Sequence, residues 1–181
     1  MQIHTPLRLR GFYAFQDQGL KRIVIFGNSG SGKSTLARNL SGTENLLYLD
    51  LDTVAWMPGS PPERRPIVEV EREIAAFMGS NECWVIEGCY SDLLDIALPE
   101  SSEIIFLNLP VEKSISNARK RPWEPHKYES KAAQDANLDM LIDWIAQYSK
   151  RDDTFSRSAH QTLFNCYEGK KTMYTSNERE V

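Results

Sequence analysis

The stretch Gly27-Asn28-Ser29-Gly30-Ser31-Gly32-Lys33-Ser34 fits the pattern G-x-x-x-x-G-K-[ST] and stands directly behind the apolar run Ile23-Val24-Ile25-Phe26. Its placement constrains the chain as much as its letters do. A buried strand delivers the backbone to a glycine-rich turn, and Lys33-Ser34-Thr35-Leu36-Ala37-Arg38 reads as the first turns of a helix. Such a turn wraps main-chain N–H groups around phosphate oxygens at a helix N-terminus, where the macrodipole also favours negative charge. Lys33 is placed to reach the β- and γ-phosphates, and the Ser34 hydroxyl to ligate Mg²⁺. Gly27, Gly30 and Gly32 let the backbone approach a ligand with no Cβ in the way. A chance glycine-serine turn is the alternative, and it accounts for neither the strand before nor the helix after. The sequence predicts a loop that binds a nucleoside triphosphate.

At 181 residues the chain suits one well-buried domain and is short for two. Residues 21–181 are expected to form that domain, with 1–20 as an N-terminal extension. Charged residues at 25% and hydrophobic ones at 41% fit a globular protein. The net charge of -4 argues against nonspecific binding to nucleic acid or anionic membranes. No apolar run approaches the length that spans a bilayer. Met1 to Gly19 lacks the apolar core of a secretory signal. The three cysteines, Cys83, Cys89 and Cys166, have no zinc-like spacing, and an odd count favours free thiols in a reducing cytoplasm.

In the first twenty residues, Leu7-Arg8-Leu9-Arg10 alternates like an edge strand. Phe12, Tyr13 and Phe15 are too apolar for a free tail and are expected to pack on the domain or on a second copy of it, as a homodimer. After the loop, Leu36 and Leu40 share a helical face that Ser41-Gly42 should stop. Leu46-Leu47-Tyr48-Leu49 reads as a buried strand ending in Asp50-Leu51-Asp52. A crossing from Pro58 to Pro62 precedes a helix begun by Pro66, with Ile67, Val70, Ile74 and Phe77 as its stripe and Gly79 as its end. Cys83-Trp84-Val85-Ile86 and Ile104-Ile105-Phe106-Leu107 are the third and fourth strands. A helix from about Val111 ends at Pro122. Leu138, Leu141, Ile142, Ile145 and Tyr148 repeat at helical spacing, as do Ala159, Leu163, Phe164 and Tyr167, and Thr172-Met173-Tyr174 is a last short strand. Strands alternating with helices imply a mostly parallel sheet covered on both faces, with ligands beyond the carboxyl ends of its strands.

Those ends carry the candidate acids. One of the pair Asp50 and Asp52 can hold Mg²⁺ through its water shell, and the other can accept the proton of an acceptor hydroxyl. Asp50 is assigned to the metal and Asp52 to the acceptor; turn capping is the bland alternative for Asp50. Glu87 serves either metal or acceptor, unless it is a solvent-facing strand end. Trp56, Met57 and Tyr90 follow these acids and either wall an acceptor pocket or simply pack. Arg119, Lys120 and Arg121 end a helix, where cations are favoured anyway. As a lid from about 119 to 136, this region would let an arginine close over the transferring phosphoryl group, and Arg119 is the candidate. Arg151 is another such cation, and Arg64 or Arg65 could meet an anionic acceptor.

The chain resembles the small P-loop kinases of the adenylate kinase and shikimate kinase type, and within them most nearly the adenylate-kinase-like topology modulation proteins. The resemblance runs from about Arg22 to Ser176. It rests on Phe26 to Ala37, on Leu51-Asp52-Thr53-Val54-Ala55-Trp56-Met57-Pro58-Gly59, and on Trp84-Val85-Ile86-Glu87-Gly88-Cys89-Tyr90. It implies an α/β three-layer sandwich with a five-stranded parallel sheet of order 2-3-1-4-5, an acceptor region after the second strand and a lid after the fourth. The expected cofactors are ATP, held by Gly27 to Thr35, and Mg²⁺, held by Ser34 and through water by Asp50, with Asp52, Trp56, Glu87, Gly88 and Tyr90 as the candidate acceptor contacts. Asp50-Leu51-Asp52 is similar to the D-x-D of shikimate kinases, whose second acid contacts the acceptor. Where shikimate kinases carry a glycine triplet this chain has Glu87-Gly88-Cys89, and the topology modulation proteins usually have asparagine at Cys89.

The expected activity is phosphoryl transfer from ATP to a small hydroxyl- or phosphate-bearing acceptor. Two others stay open: an ATPase or switch acting on a nucleic acid or protein, and a nucleoside or nucleoside monophosphate kinase with a base between Trp56 and Tyr90.

Overall fold

The apolar run ahead of the loop becomes the central strand of a parallel sheet. The computed structural model describes residues 19–59, 62–125 and 128–178. The stretch Leu7-Arg8-Leu9-Arg10 and the aromatics Phe12, Tyr13 and Phe15 lie outside the described residues. Strand β1 (Arg22–Gly27) pairs with β3 (Trp84–Gly88) on one side and β4 (Glu103–Leu107) on the other. Strand β2 (Leu47–Asp50) and strand β5 (Lys170–Tyr174) form the edges. The sheet is parallel throughout, with order β2-β3-β1-β4-β5.

Alternation along each strand sorts the side chains into two cores, because successive Cβ atoms point to opposite faces. On one face Val24 and Phe26 of β1 join Trp84, Ile86, Ile104 and Phe106. Helix α3 (Ile67–Ser80), α4 (Ser91–Ala97) and α8 (Arg157–Cys166) cover that face through Val70, Ile74, Leu93, Leu94 and Leu163. On the other face Ile23 and Ile25 join Val85, Ile105 and Leu107 under helix α1 (Lys33–Glu44), which contributes Leu36, Ala37 and Leu40. A strand buried on both faces must read as an unbroken apolar run, as Ile23 to Phe26 does.

Several elements differ from expectation. Helix α1 does not stop at Ser41-Gly42 but runs to Glu44, where Asn45 takes the left-handed conformation at φ 55°. Asn45 can adopt it because a short polar side chain tolerates that region. Strand β3 extends through Glu87 and Gly88, so these two stand on the strand and not after it. Asp52 opens a short helix, α2 (Asp52–Ala55). Helix α4, with a 3₁₀ turn at Leu98–Glu100, was not anticipated. The stripe of α3 is Val70, Ile74 and Met78, while Ile67 is 47% exposed. Helix α5 (Val111–Lys120) ends before Pro122, and α6 (Lys131–Ala136) and α7 (Leu138–Ala146) follow. No helix among the described residues is long and apolar enough to cross a membrane.

Candidate phosphoryl-transfer site

The phosphate loop curls between β1 and α1, and two of its glycines are required by geometry. Gly30 has φ +72°, and a Cβ there would stand 2.4 Å from the Ser114 carbonyl oxygen of α5. Gly27 has φ +149° and the same separation from the Leu107 carbonyl oxygen of β4. The loop is held from behind. Asn28 Nδ2 donates to the Ile145 carbonyl at 3.1 Å, and Asn117 Nδ2 donates to the Gly30 carbonyl at 2.9 Å. Ser31 is fully buried, and its N–H donates to the Asn28 carbonyl at 3.2 Å. Lys33 is buried, with Nζ donating to the Asn28 carbonyl at 3.0 Å. Gly32 caps α1 at φ 88° with no side-chain hydrogen bond to the first turn. That turn therefore keeps its N–H groups for an anion.

A cavity of about 910 Å³ opens in front of the loop. Ser29, Gly30, Gly32, Lys33, Ser34 and Thr35 line one side; Asp52, Glu87, Gly88 and Cys89 line another. Its size is that of a site for a drug-sized ligand. The register explains the convergence of acids: Asp50 lies beside Glu87 across the β2–β3 pairing, and Glu87 lies beside Ile25 on β1. Glu87 is 2% exposed, and its Oε1 accepts from Ser34 Oγ at 2.6 Å and from the Tyr48 hydroxyl at 2.9 Å. Burial raises the Glu87 carboxyl above its ordinary range, Lys33 opposes that shift, and Asp50 adds to it. Burial and the Glu87 charge push the Tyr48 phenol upward as well. The Cys89 thiol is driven up to about 12 by burial, which keeps it protonated.

The other expected residues divide. Asp52 lines the cavity. Asp50 is buried behind it, and its Oδ1 accepts from the Asp52 N–H at 2.9 Å, which is the turn-capping arrangement. Trp56 and Tyr90 do not form parallel plates. Their rings meet edge to face at 6.2 Å and 66°, Tyr90 is buried, and neither lines the cavity. A base between them has no slot. Arg119 is exposed and does not line the cavity, whereas Arg121 does, so the cation at this helix end that faces the site is Arg121. Arg151 lies away from the cavity, over the Trp144 ring at 3.6 Å and paired with Asp153 at 3.2 Å. Arg64 pairs with Asp92 at 3.0 Å, and Arg65 bonds both oxygens of Glu73 at 2.6 and 3.0 Å.

Tyr48, Arg38, Asn117, Trp123 and Tyr128 also line the cavity and were not singled out from sequence. Tyr48 had a signal: it stands two residues before Asp50 on a strand, hence on the same face.

Among the described residues no group of three or more His, Cys, Asp or Glu side chains could hold a metal by itself. Mg²⁺ keeps several waters and takes one or two protein ligands together with substrate phosphates. The Ser34 hydroxyl, with Glu87 and Asp50 close by, is a donor set of the right hardness.

A sugar kinase from Janibacter sp. HTCC2649 superposes with a TM-score of 0.52 at 18% identity, over 88% of this chain and 87% of that one. TT1252 from Thermus thermophilus gives a TM-score of 0.50 at 14% identity, over 87% and 90% of the two chains. The fold is that of the P-loop small-molecule kinases. A shikimate kinase from Acinetobacter baumannii, solved with shikimate, is more distant: TM-score 0.41, 19% identity, 80% and 92% coverage. No protein-family model matches the chain, and no curated protein matches its sequence. The resemblance to the topology modulation proteins rests on the motifs quoted above.

Proposed function

We propose that this chain transfers the γ-phosphoryl group of ATP, with Mg²⁺, to a hydroxyl of a small acceptor. The observation that carries the reading is the cavity that brings Lys33, Ser34 and Thr35 of the phosphate loop against Asp52 at the start of α2 and Glu87 of β3. Phosphoryl transfer needs little covalent chemistry from the protein, and depends on positioning and on charge stabilisation. The loop N–H groups and Lys33 bind the polyphosphate, and Ser34, with Glu87 and Asp50 behind it, holds the metal. Bound Mg²⁺ would supply neutralisation of charge on the phosphate oxygens. Asp52 orients the acceptor hydroxyl and takes its proton, and Arg121 faces the transferring group from the far wall. The segment from Arg121 through α6 serves as the lid.

Commitment of Arg64 to Asp92 and of Arg65 to Glu73 favours a hydroxyl acceptor over a phosphate monoester. The edge-to-face packing of Trp56 and Tyr90 speaks against the nucleoside reading. Free cysteines suit the cytoplasm as its location.

The test is calorimetry with MgATP, followed by incubation with a metabolite mixture read by mass spectrometry. Uptake of ATP and phosphorylation of a polyhydroxyl compound are expected, both lost in Lys33→Ala with the fold intact. Full ATP affinity in that variant would refute the loop assignment. ATP hydrolysis stimulated by DNA, with no small acceptor phosphorylated, would favour the ATPase or switch reading instead.

A further inference from the structure

Asp52 is tied to two aromatic side chains by hydrogen bonds that run in one direction only. The Trp56 Nε1–H donates to the Tyr90 hydroxyl oxygen at 2.7 Å, and the Tyr90 hydroxyl donates to Asp52 Oδ1 at 2.6 Å. An indole N–H can donate and never accept, and a phenol has one proton. The bond from Trp56 therefore occupies the lone-pair side of the Tyr90 oxygen and turns its proton toward Asp52. Burial and the Asp52 charge both push the Tyr90 phenol upward, so it stays protonated and keeps donating.

The relay sits in a rigid frame. Tyr90 is 2% exposed and packs edge to face against Phe155 at 5.2 Å as well as against Trp56. The Arg64 guanidinium lies over the rings of Tyr90 at 4.9 Å, Phe155 at 5.6 Å and Trp56 at 5.8 Å. Asp92 holds that guanidinium, and an antiparallel bridge joins Trp56 to Arg64 along the backbone. Asp52, by contrast, stands at the exposed start of the short helix α2. The last torsion of a carboxylate has a broad energy well, so a directed hydrogen bond to one oxygen narrows it.

We propose that Trp56 and Tyr90 form a one-way hydrogen-bond relay that fixes the rotation of the Asp52 carboxylate for the acceptor hydroxyl, which makes Tyr90 a positioning residue for phosphoryl transfer. The proposal rests on the acceptor-side role given to Asp52 above. Its physical basis is that a misplacement of about 1 Å at a reacting group costs on the order of 100-fold in rate. Trp56 and Tyr90 then serve the acceptor site from behind, through their polar atoms, without touching the acceptor.

Two measurements test it, and the first needs no acceptor. In ¹H–¹⁵N spectra of the full chain, the Trp56 indole signal is identified by its loss in Trp56→Phe. Tyr90→Phe removes the oxygen that accepts from it and should move that signal upfield. An unmoved signal overturns the relay, whatever reaction the chain catalyses. The second measurement is MgATP turnover, both phosphate release to water and transfer to the acceptor drawn from the metabolite mixture. Tyr90→Phe should lower kcat about 10- to 100-fold with KM for ATP unchanged, and Trp56→Phe should act in the same direction by about 3-fold. In an Asp52→Asn background, Tyr90→Phe should change kcat by less than about 2-fold, since residues acting as a unit are not additive. An unchanged kcat in Tyr90→Phe, or a full additional loss in the double variant, overturns the positioning role. An active chain that tolerates Asp52→Asn refutes the role of Asp52 and the positioning claim with it, while the indole result still reports whether the relay exists.

Discussion

The Ser34 hydroxyl donates to Glu87 Oε1 at 2.6 Å, joining the first turn of α1 to the tip of the adjacent strand β3. Tyr48 donates to the same oxygen from β2, so three elements meet at one buried carboxylate. A serine that gives its proton to Glu87 turns its lone pairs outward, which is how a second carboxylate orients a ligand for a hard cation.

Glu87→Gln removes that charge while keeping the side chain's size. The Mg²⁺ concentration needed for half-maximal ATP binding should rise about 10- to 100-fold, the usual cost of losing a partner behind a metal ligand. Calorimetric titrations of ATP at a series of Mg²⁺ concentrations measure it. An unchanged Mg²⁺ requirement would make the Ser34–Glu87 pair a packing contact only.

Gly30 and Gly42 give opposite expectations for the same substitution. At Gly30 an added Cβ meets the Ser114 carbonyl oxygen at 2.4 Å on a backbone with φ +72°. Gly30→Ala should cost about 2 kcal/mol or more through strain and clash, lowering Tm by about 4–8 °C in a chain of this size. Gly42 lies inside α1 with nothing within 4 Å of an added Cβ. Gly42→Ala should add about 0.5–1 kcal/mol. Differential scanning calorimetry on both variants checks the signs, and a destabilised Gly42→Ala would contradict the length of α1.

The strands and the phosphate loop were legible because each is written locally, in apolar runs of strand length and in glycines whose backbone few other residues adopt, whereas the strand order came from the family resemblance. Helix α4 was not, since Leu93, Leu94 and Ala97 fill seven residues and leave no full period to read. What failed at the site was orientation. Trp56 and Tyr90 fell in the right neighbourhood, but only tertiary packing turns their rings edge to face and their polar atoms toward Asp52. Arg64 and Arg65 had the right charge for an anionic acceptor, yet Asp92, 28 residues on, and Glu73, eight residues on, claim them. Asp50 shows the other limit: one of its oxygens caps the Asp52 N–H, the second of the two roles its position in the sequence offers.

His160 sets a pH dependence of stability. It is fully buried, with Nδ1 2.8 Å from the Tyr148 hydroxyl and Nε2 3.0 Å from the Cys89 carbonyl oxygen. The carbonyl can only accept, so Nε2 carries a proton, and burial disfavours a second proton on the ring. Burial brings its pKa down to about 4 from the ordinary 6.5. Above pH 6.5 neither state is protonated there, and the group is silent. Between 6.5 and 4 the unfolded chain binds a proton that the folded one refuses, so stability falls by up to about 1.4 kcal/mol per pH unit. Glu87 works the other way, because its raised value lets the folded state take a proton first. Urea midpoints of the wild type and His160→Gln, at pH 7 and pH 4.5, separate the two. The variant should be less stable at pH 7 and lose less on acidification. Equal losses would remove His160 as the cause.

The two arginines at the end of α5 differ by their place around the helix. Asn117 and Ala118 line the cavity, and Arg121 lines it from the residue that caps the helix. At about 100° per residue, Arg119 is turned to the opposite side, and it is exposed. Arg121 is poised by Glu124, 3.2 Å from its Nη1, and by the Tyr128 hydroxyl, 3.3 Å from its Nη2, with the Tyr128 ring 5.4 Å beneath the guanidinium. An incoming γ-phosphate offers that guanidinium a doubly charged, bidentate partner better matched than a single carboxylate oxygen. Arginines that stabilise a transferring phosphoryl group carry 10³- to 10⁵-fold in rate in known phosphoryl-transfer enzymes. Arg121→Ala should therefore lower kcat at least about 100-fold with little change in ATP affinity, and Arg119→Ala should stay within about 2-fold of the wild type. Single-turnover transfer with γ-labelled ATP compares them directly. The reverse ranking would return the role to Arg119 and mean that α5 turns when nucleotide binds.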